Sequence, residues 1–366
     1  MIPTRHRPGR DPESDPEPAP RRPGAVLVGA VVGAVVVAAV AIFAFGGPMP
    51  QETGGGGGEA PFQVKPLPSA SGYYVDPASP AARQQAEWAA QGRTADAERM
   101  GQLAKQPIAQ WATAKTGEVG AQIADYVAKA RAVGQKPLVV AYHIPDRDCA
   151  QYSAGGSENG ADYKAWIREL AGALGGHEAT VVLEPDAVPH ELLGCASAGN
   201  TAAERDELLS DAVRVLKGAG PVKVYVDAGN PGFITNVRDL AGALKRSGIN
   251  DADGFSLNVA NYYATDEVIR YGKQLSAALG GTHFVIDTSR NGNGRDGRNT
   301  INGGPGWCNP PGRSIGQVPS TDTGDPVVDA YLWIKRVGES DGECNRGEPA
   351  AGQWWPDYAL GLVPND

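Results

Sequence analysis

The chain has 366 residues, of which 41% are hydrophobic and 20% are charged, and its formal net charge is −9. This apolar content excludes a largely disordered chain, and the lack of a glycine period excludes a collagen-like one. The acidic balance disfavours nucleic acid as a partner, because phosphate binding needs clustered lysine and arginine. The 7 Trp and 12 Tyr outnumber the 6 Phe, which favours a binding surface that both stacks and hydrogen-bonds.

The first 70 residues have the pattern of a membrane anchor followed by a linker. Residues 1–23 are rich in proline and charge and are predicted to form a disordered cytoplasmic tail. Residues 24–47 contain the uncharged stretch Ala25–Phe45, which as a helix is long enough for a bilayer core of about 30 Å. Arg21 and Arg22 precede it, so the following chain is expected outside the cytoplasm. A cleaved secretory signal is the alternative, and the glycine-rich residues 48–70 are predicted to be a flexible linker.

The four cysteines agree with export. They lie far apart without a CxxC pair or clustered histidines, so the sequence predicts no metal site. Four cysteines allow three pairings, and the most local one is favoured. In the loop-entropy model each bridge stabilises the fold by about 4 kcal/mol. The favoured pairs are Cys149–Cys195 and Cys308–Cys344.

Residues 71–366 contain no second linker and are predicted to form one domain of alternating strands and helices. Helices are expected first, near Ala81–Met100 and Ile108–Val133. Six apolar runs rich in β-branched residues then predict strands, with helical spacing between most of them. The strands are Leu138–His143, Thr180–Leu183, Val222–Val226, Gly254–Val259, Phe284–Ile286 and Ala330–Ile334, and the helices are Ala161–Leu174, Ala202–Leu216, Val237–Leu244 and Glu267–Leu279. The pattern favours a parallel β/α barrel, with an open doubly wound sheet as the alternative.

Polar side chains follow all six predicted strands. Asp148, Asp186 and Asp227 come shortly after the first three, and Lys335 and Asp341 follow the last. A single aspartate after a strand is more often a helix N-cap, but six such strand ends make capping alone an insufficient account. Because the carboxyl ends of barrel strands converge on one face, one cleft is predicted to collect carboxylates, cations and aromatic rings. That combination favours glycoside hydrolysis, in which one carboxyl protonates the leaving oxygen and another handles water.

Competing motifs are weaker. The segment Gly292–Gly297 matches GxGxxG after a predicted strand, but no helical pattern follows it, as a dinucleotide site requires. The histidines are scattered without metal spacing, and Ser153 does not lie in a GxSxG nucleophile elbow.

Seven ordered motifs resemble those of glycoside hydrolase family 6, from about Tyr73 to the end of the chain. They are Val140–Cys149 with Ser153–Gly155 and Tyr163–Trp166, Val181–Pro189, Tyr225–Gly229, Leu257–Tyr262, Ile286–Gly294, Trp307–Gly312 and Trp333–Cys344. The resemblance implies a distorted (β/α) barrel with parallel strands and an active-site cleft at the C-terminal strand ends. It also implies an inverting β-1,4-glucanase of the cellulase type, with residues 71–366 as the catalytic domain, β-glucan as partner and no metal or organic cofactor.

The resemblance also implies residue roles. Asp186 matches the general acid, Asp148 a carboxylate that raises the pKa of the acid and handles water, and Asp227 a supporting carboxylate. Asp341 matches the suggested base, and Tyr142 the tyrosine that presses on the distorted sugar. The implied substrate-binding residues are Trp111, Arg147, Asn258, Asn261, Trp307, Lys335 and Glu339, and the implied bridges are the two local disulfides.

The sequence departs from the family in one motif. Asn230 and Phe233 stand where the family often has histidine and tryptophan, so the neighbouring sugar subsite is not defined by the resemblance. No cellulose-binding module is visible, and no loop is long enough to predict a closed tunnel. Endo action on soluble or cell-wall β-glucan is therefore expected, with an exo-acting cellobiohydrolase or a surface glycan-binding protein as alternatives.

Overall fold

The structure is a computed structural model that describes residues 71–195 and 201–364. The predicted tail, anchor and linker lie outside these residues. Within the described part of the chain, no helix combines the length and apolar character needed to span a membrane.

Seven parallel strands form the central sheet. They are β1 Gln110–Ala112, β2 Leu138–Ala141, β3 Ala179–Leu183, β4 Val222–Asp227, β5 Gly254–Leu257, β6 His283–Asp287 and β9 Val328–Leu332, and they adjoin in that order. The two edges of the sheet meet where Ile108 bridges Trp333, and the Ala109 N–H donates to the Trp333 carbonyl at 3.0 Å. This contact closes the sheet into a distorted barrel, as the sequence predicts. The two-residue strands β7 Thr300–Ile301 and β8 Gly304–Pro305 form a separate antiparallel pair.

Helices connect most of the barrel strands. Those in the described residues are α1 Pro80–Ala90, α2 Thr94–Ala104, α3 Val119–Ala132, α4 Gly160–Leu174, α5 Ala187–Leu192, α6 Ala202–Gly218, α7 Val237–Arg246, α8 Thr265–Ala278 and α9 Pro356–Leu362. Side-chain caps fix several starts, including a capping box between Thr201 and Glu204 at α6. The alternation and the six predicted strands are confirmed, with shifted ends.

Two predicted helices are wrong in detail. The helix expected near Ala81–Met100 is two helices, because Gly92 takes a left-handed conformation, with φ of 75°, after α1 ends. The helix expected over Ile108–Val133 is the strand β1 followed by α3, with Gly117 at φ of 87° in the turn between them. The short β1 completes the barrel and carries Trp111.

The barrel strands are buried on both faces, which explains their near-continuous apolar sequences. Val140 of β2 pairs with Val182 of β3, and Val182 pairs with Tyr225 of β4. These three side chains belong to one cluster inside the barrel, whereas Val139 and Val181 belong to the larger cluster with the helices. Each fully buried valine stabilises the fold by roughly 1.5–3 kcal/mol relative to an exposed one.

Two buried carboxylates tie the strand ends together beneath the cleft. The Glu184 carboxylate accepts the N–H groups of His143 at 3.0 Å and Ile144 at 3.1 Å, linking the ends of β2 and β3. Asp287 accepts four backbone N–H groups, from Ser289, Ile334, Ala260 and Lys335. These carboxylates therefore support the loops that carry the site.

Candidate active site

A cleft of about 400 Å³ lies at the carboxyl ends of the barrel strands. Strand β1 itself and the loops after β2 to β6 and after β9 all contribute to its lining. The sequence-predicted residues that line it are Trp111, Tyr142, Asp148, Asp186, Asn261, Trp307, Lys335 and Asp341. The structure therefore brings eight of the twelve predicted catalytic and substrate-binding residues to one surface.

Asp186 follows β3 in a left-handed conformation, with φ of 70°. Its backbone N–H donates to Asp227 at 2.9 Å, but its carboxyl oxygens accept no hydrogen bond from any described residue. Burial, together with the neighbouring carboxyls of Asp227 and Asp148, raises the pKa of Asp186 well above its ordinary value. The arrangement keeps a proton on a carboxyl group that faces the cleft.

Asp227 lies at the end of β4, fully buried behind Asp186. Its Oδ1 accepts the N–H groups of Asp186 and Gly229, and its Oδ2 accepts the Ser256 hydroxyl at 2.8 Å. Burial raises the pKa of Asp227 to about 6, and these three hydrogen bonds limit the rise. Asp227 therefore ionises near neutral pH and places a negative charge beside Asp186.

Asp148 stands in the loop after β2, again in a left-handed conformation, with φ of 60°. Its Oδ2 accepts the Ser153 N–H at 2.6 Å, while the other oxygen has no partner among the described residues. Burial raises the pKa of Asp148, and the Ser153 N–H and Arg147 oppose the rise. Asp148 is thus a half-buried carboxyl group on the cleft wall with one oxygen left for water or substrate.

Asp341 is surrounded by donors. Its Oδ2 accepts Arg290 at 2.9 Å, Tyr262 at 3.1 Å and the Asn309 N–H at 3.1 Å, and its Oδ1 is 3.1 Å from the Lys335 ammonium. Burial alone would raise the pKa of Asp341, but Arg290 and Lys335 outweigh burial and lower it to about 2. Asp341 is therefore a fixed negative charge across the acid and neutral range.

Aromatic rings form part of the cleft wall. The Trp111 indole N–H donates to the Ile334 carbonyl at 2.8 Å, and the ring meets Tyr142 edge-on with centroids 5.1 Å apart. Trp307 is 39% exposed and touches Tyr152 at its edge, with centroids 6.0 Å apart. These faces suit the apolar faces of sugar rings.

Three residues predicted to contact the sugar do not line the cleft in this structure. Asn258 is fully buried, and its amide group is satisfied by Asp287 and Tyr263. Glu339 lies outside the cleft lining, 3.0 Å from the guanidinium of Arg336. Arg147 is also outside it.

The guanidinium of Arg147 holds its own loop instead of facing the cleft. It donates to the carbonyls of Tyr142 and Ser153 at 2.8 Å, and it lies 4.7 Å from the centre of the Tyr142 ring. The side chain therefore fixes Tyr142 and the loop that carries Asp148.

Sequence reasoning missed several contributors. Arg290, Tyr262 and Asn309 surround Asp341, and the only available signal was their place in the matched motifs. His190 was counted among the scattered histidines, yet it lines the cleft from α5. Its position four residues after Asp186, on a short helix, is a sequence signal that places it near the acid.

Both predicted disulfides are confirmed. Cys149 joins Cys195, with Cα atoms 5.8 Å apart, and Cys308 joins Cys344, with Cα atoms 5.7 Å apart. The first bridge lies next to Asp148, and the second anchors the chain near Asp341. Among the described residues, no group of three or more His, Cys, Asp or Glu side chains could hold a metal ion.

Several known proteins are similar to this chain along most of its length. Endoglucanase A of Cellulomonas fimi is 40% identical over 299 residues, which are 81% of this chain and 61% of that protein. Endoglucanase 1 of Streptomyces halstedii is 38% identical and covers 81% of this chain and 90% of its own length. The chain spans about three fifths of the curated relatives from Cellulomonas fimi and Thermobispora bispora.

A solved structure is similar along most of the chain. The endoglucanase Cel6 from Mycobacterium tuberculosis, solved in complex with methyl-cellobiosyl-4-deoxy-4-thio-β-D-cellobioside, is 40% identical with a TM-score of 0.73. The match covers 82% of this chain and 98% of that one. The profile described as glycosyl hydrolases family 6 matches residues 69–366. With its barrel, its cleft and this match over most of its length, the chain belongs to glycosyl hydrolases family 6.

Proposed function

We propose that this protein is an inverting endo-β-1,4-glucanase that cuts cellulose-like β-glucan within the polymer. The observation that carries the proposal is the carboxyl group of Asp186, which faces the cleft without a hydrogen-bond donor among the described residues. An acid catalyst must carry its proton near neutral pH, and burial beside Asp227 and Asp148 favours the protonated form. Asp186 then protonates the glycosidic oxygen as the bond to the anomeric carbon breaks.

Water activation is assigned to Asp148. An efficient base has a pKa near the working pH. Asp341, with a pKa of about 2 and both oxygens engaged, is a weak proton acceptor. Asp148 has a raised pKa and one oxygen without a partner among the described residues. We therefore place Asp148 as the group that takes the proton from water, and Asp341 as a charge that stabilises the positive sugar in the transition state.

The remaining cleft residues position the glucan. Trp111 and Trp307 provide faces for sugar rings, while Asn261 and Lys335 offer hydrogen-bond donors. Tyr142 stands between Trp111 and the carboxyls, where it presses on the sugar at the cleavage point. The relatives from Cellulomonas fimi and Streptomyces halstedii are named endoglucanases, which supports an endo-acting enzyme.

The test is hydrolysis of carboxymethylcellulose and cello-oligosaccharides, with the anomer of the product read by NMR. We expect a rapid fall in viscosity and α-anomeric products. Asp186→Ala should lower the rate on these substrates by about 10²–10⁴-fold, and less on a nitrophenyl cellobioside, whose leaving group needs little protonation. The matched control Asp125→Ala removes an exposed aspartate on α3 and should leave the rate unchanged. β-Anomeric products, or equal losses on both substrates, would refute the mechanism.

We also propose that the catalytic domain works outside the cytoplasm, held by the stretch Ala25–Phe45. The two disulfides support an oxidising compartment. The proposal includes a cytoplasmic tail over residues 1–23, an anchor over 24–47, a linker over 48–70 and a catalytic domain over 71–366. Membrane fractionation of the full chain tests it, with an expected membrane-bound enzyme that protease reaches from outside. A soluble extracellular chain that starts after residue 45 would refute the anchor.

A further inference from the structure

His190 lies in the cleft wall without a role in the proposed mechanism. It is one turn after Asp186 on the six-residue α5, and its backbone N–H donates to the Asp186 carbonyl at 2.8 Å. The side chain is only 5% exposed, and its ring meets Phe233 edge-on, with centroids 5.4 Å apart. Both residues line the cleft.

His190, Asn230 and Phe233 form one corner of the cleft. Polar side-chain atoms in this corner have no hydrogen-bond partner among the described residues. Neither ring nitrogen of His190 forms a hydrogen bond with any described residue. Neither nitrogen is among the side-chain atoms that are both shielded from solvent and without a hydrogen-bond partner. Asn230 uses its carbonyl oxygen to accept the Gly232 N–H at 3.1 Å, which leaves its amide nitrogen unpaired among the described residues. Burial and Arg205 lower the pKa of His190 to about 4, so the ring is neutral above pH 5. A neutral imidazole offers one donor and one acceptor.

The topology places this corner relative to the acid. Tyr142 follows β2, Asp186 follows β3, and Asn230 and Phe233 follow β4, so the acid lies between the tyrosine and the corner. The proposed function seats the distorted sugar against Tyr142. The part of the cleft beyond Asp186 therefore receives the leaving group.

We propose that His190 is a specificity-determining residue that exchanges hydrogen bonds with the hydroxyl groups of the leaving sugar, together with the amide of Asn230. A sugar hydroxyl both donates and accepts, which matches the two ring nitrogens. Phe233 supplies an apolar edge beside them. This inference rests on the proposed function, because the leaving-group side is defined by it.

The experiment compares two leaving groups in the full chain. Cellotetraose places a sugar against His190, whereas nitrophenyl β-cellobioside places a ring without sugar hydroxyls there. His190→Phe keeps the aromatic contact with Phe233 and removes both nitrogens. We expect kcat/KM to fall about tenfold on cellotetraose, or about 1.4 kcal/mol, and less than twofold on the aryl substrate. His190→Gln, which keeps a donor and an acceptor, should recover most of the loss.

His177→Phe is the matched control, because His177 lies in the turn between α4 and β3, at the opposite end of the strand from Asp186. Full activity of His190→Phe on cellotetraose, or equal losses on both substrates, would overturn the inference. If His190→Phe does not fold, the ring ¹⁵N shifts of His190 in Asp186→Ala, titrated with cellotetraose, decide the matter. Unmoved shifts at saturation overturn the inference. A wild-type chain that hydrolyses neither substrate overturns the proposed function instead, and the titration still decides the role of His190.

Discussion

The pairing of Asp227 with Asp186 makes a specific prediction about pH. Asp227→Asn removes a buried charge 2.9 Å from the Asp186 backbone nitrogen but keeps a carbonyl oxygen for the two backbone N–H groups. Because Asp227 has a pKa of about 6, it carries its negative charge only above that pH. The substitution should therefore matter at pH 7 to 8 and much less at pH 5.

The direction and the size of the expected change in the pKa of Asp186 follow from like-charge repulsion. A neighbouring negative charge raises the pKa of Asp186, so its removal lowers that pKa and the acid loses its proton at a lower pH. A shift of about one unit is typical for a close pair. The alkaline limb of the kcat profile should move down by about one unit, with a loss of about tenfold at pH 8.

The assay is a pH profile of cellotetraose hydrolysis from pH 4 to 9. Ser256→Ala is the matched control, since it removes one hydrogen bond to Asp227 while the carboxylate stays charged at pH 8. Its alkaline limb should stay near the wild-type position at that pH. An Asp227→Asn profile that loses activity equally at pH 5 and pH 8 would show that the charge does not tune the acid.

Three other changes should have separable effects. Asp148→Asn should lower the rate on nitrophenyl cellobioside and glucan alike, by about 10²–10⁴-fold, with little change in unfolding by urea. Asp341→Asn should instead destabilise the fold by about 3–5 kcal/mol, because it leaves the buried charge of Arg290 without its carboxylate partner, and equal stability of the two variants would contradict this division. Replacing both members of the Cys308–Cys344 bridge, which are 36 residues apart, with serine should lower the free energy of unfolding by about 4 kcal/mol; a loss below 1 kcal/mol would contradict it.

The fold was predictable where burial imposes a pattern. Strands covered on both faces must be apolar throughout, and helices between them must be amphipathic, so the alternation is visible in the sequence. The strand β1 is not predicted from the sequence, because it has three residues, of which only Ala112 is fully buried. Its sequence therefore carries no strand pattern, although it completes the barrel.

The site was predictable as a set of strand-end residues but not as a set of contacts. Asn258 and Asn261 belong to the same short motif, yet Asn258 is buried beneath the loop while Asn261 lines the cleft. Asn258 comes directly after β5, and its amide group forms hydrogen bonds with the backbone of Asp287 and Tyr263, which the motif itself does not reveal. The position of Arg147 is equally hidden in the sequence, because the folding of its loop turns the guanidinium towards backbone carbonyls.

The acidic residues at the strand ends differ chiefly in the donors that surround them. Asp287 accepts hydrogen bonds from four backbone N–H groups and thereby links neighbouring strand ends. Asp341 contacts two cationic side chains and therefore stays ionised. Asp227 accepts three neutral donors and titrates near pH 6. Asp186 has no donor to its carboxyl among the described residues, and its neighbours Asp148 and Asp227 are negative when ionised. Since each missing donor favours the protonated form, the protonation state of each carboxyl in the cleft is set by its burial and by the donors and charges that surround it.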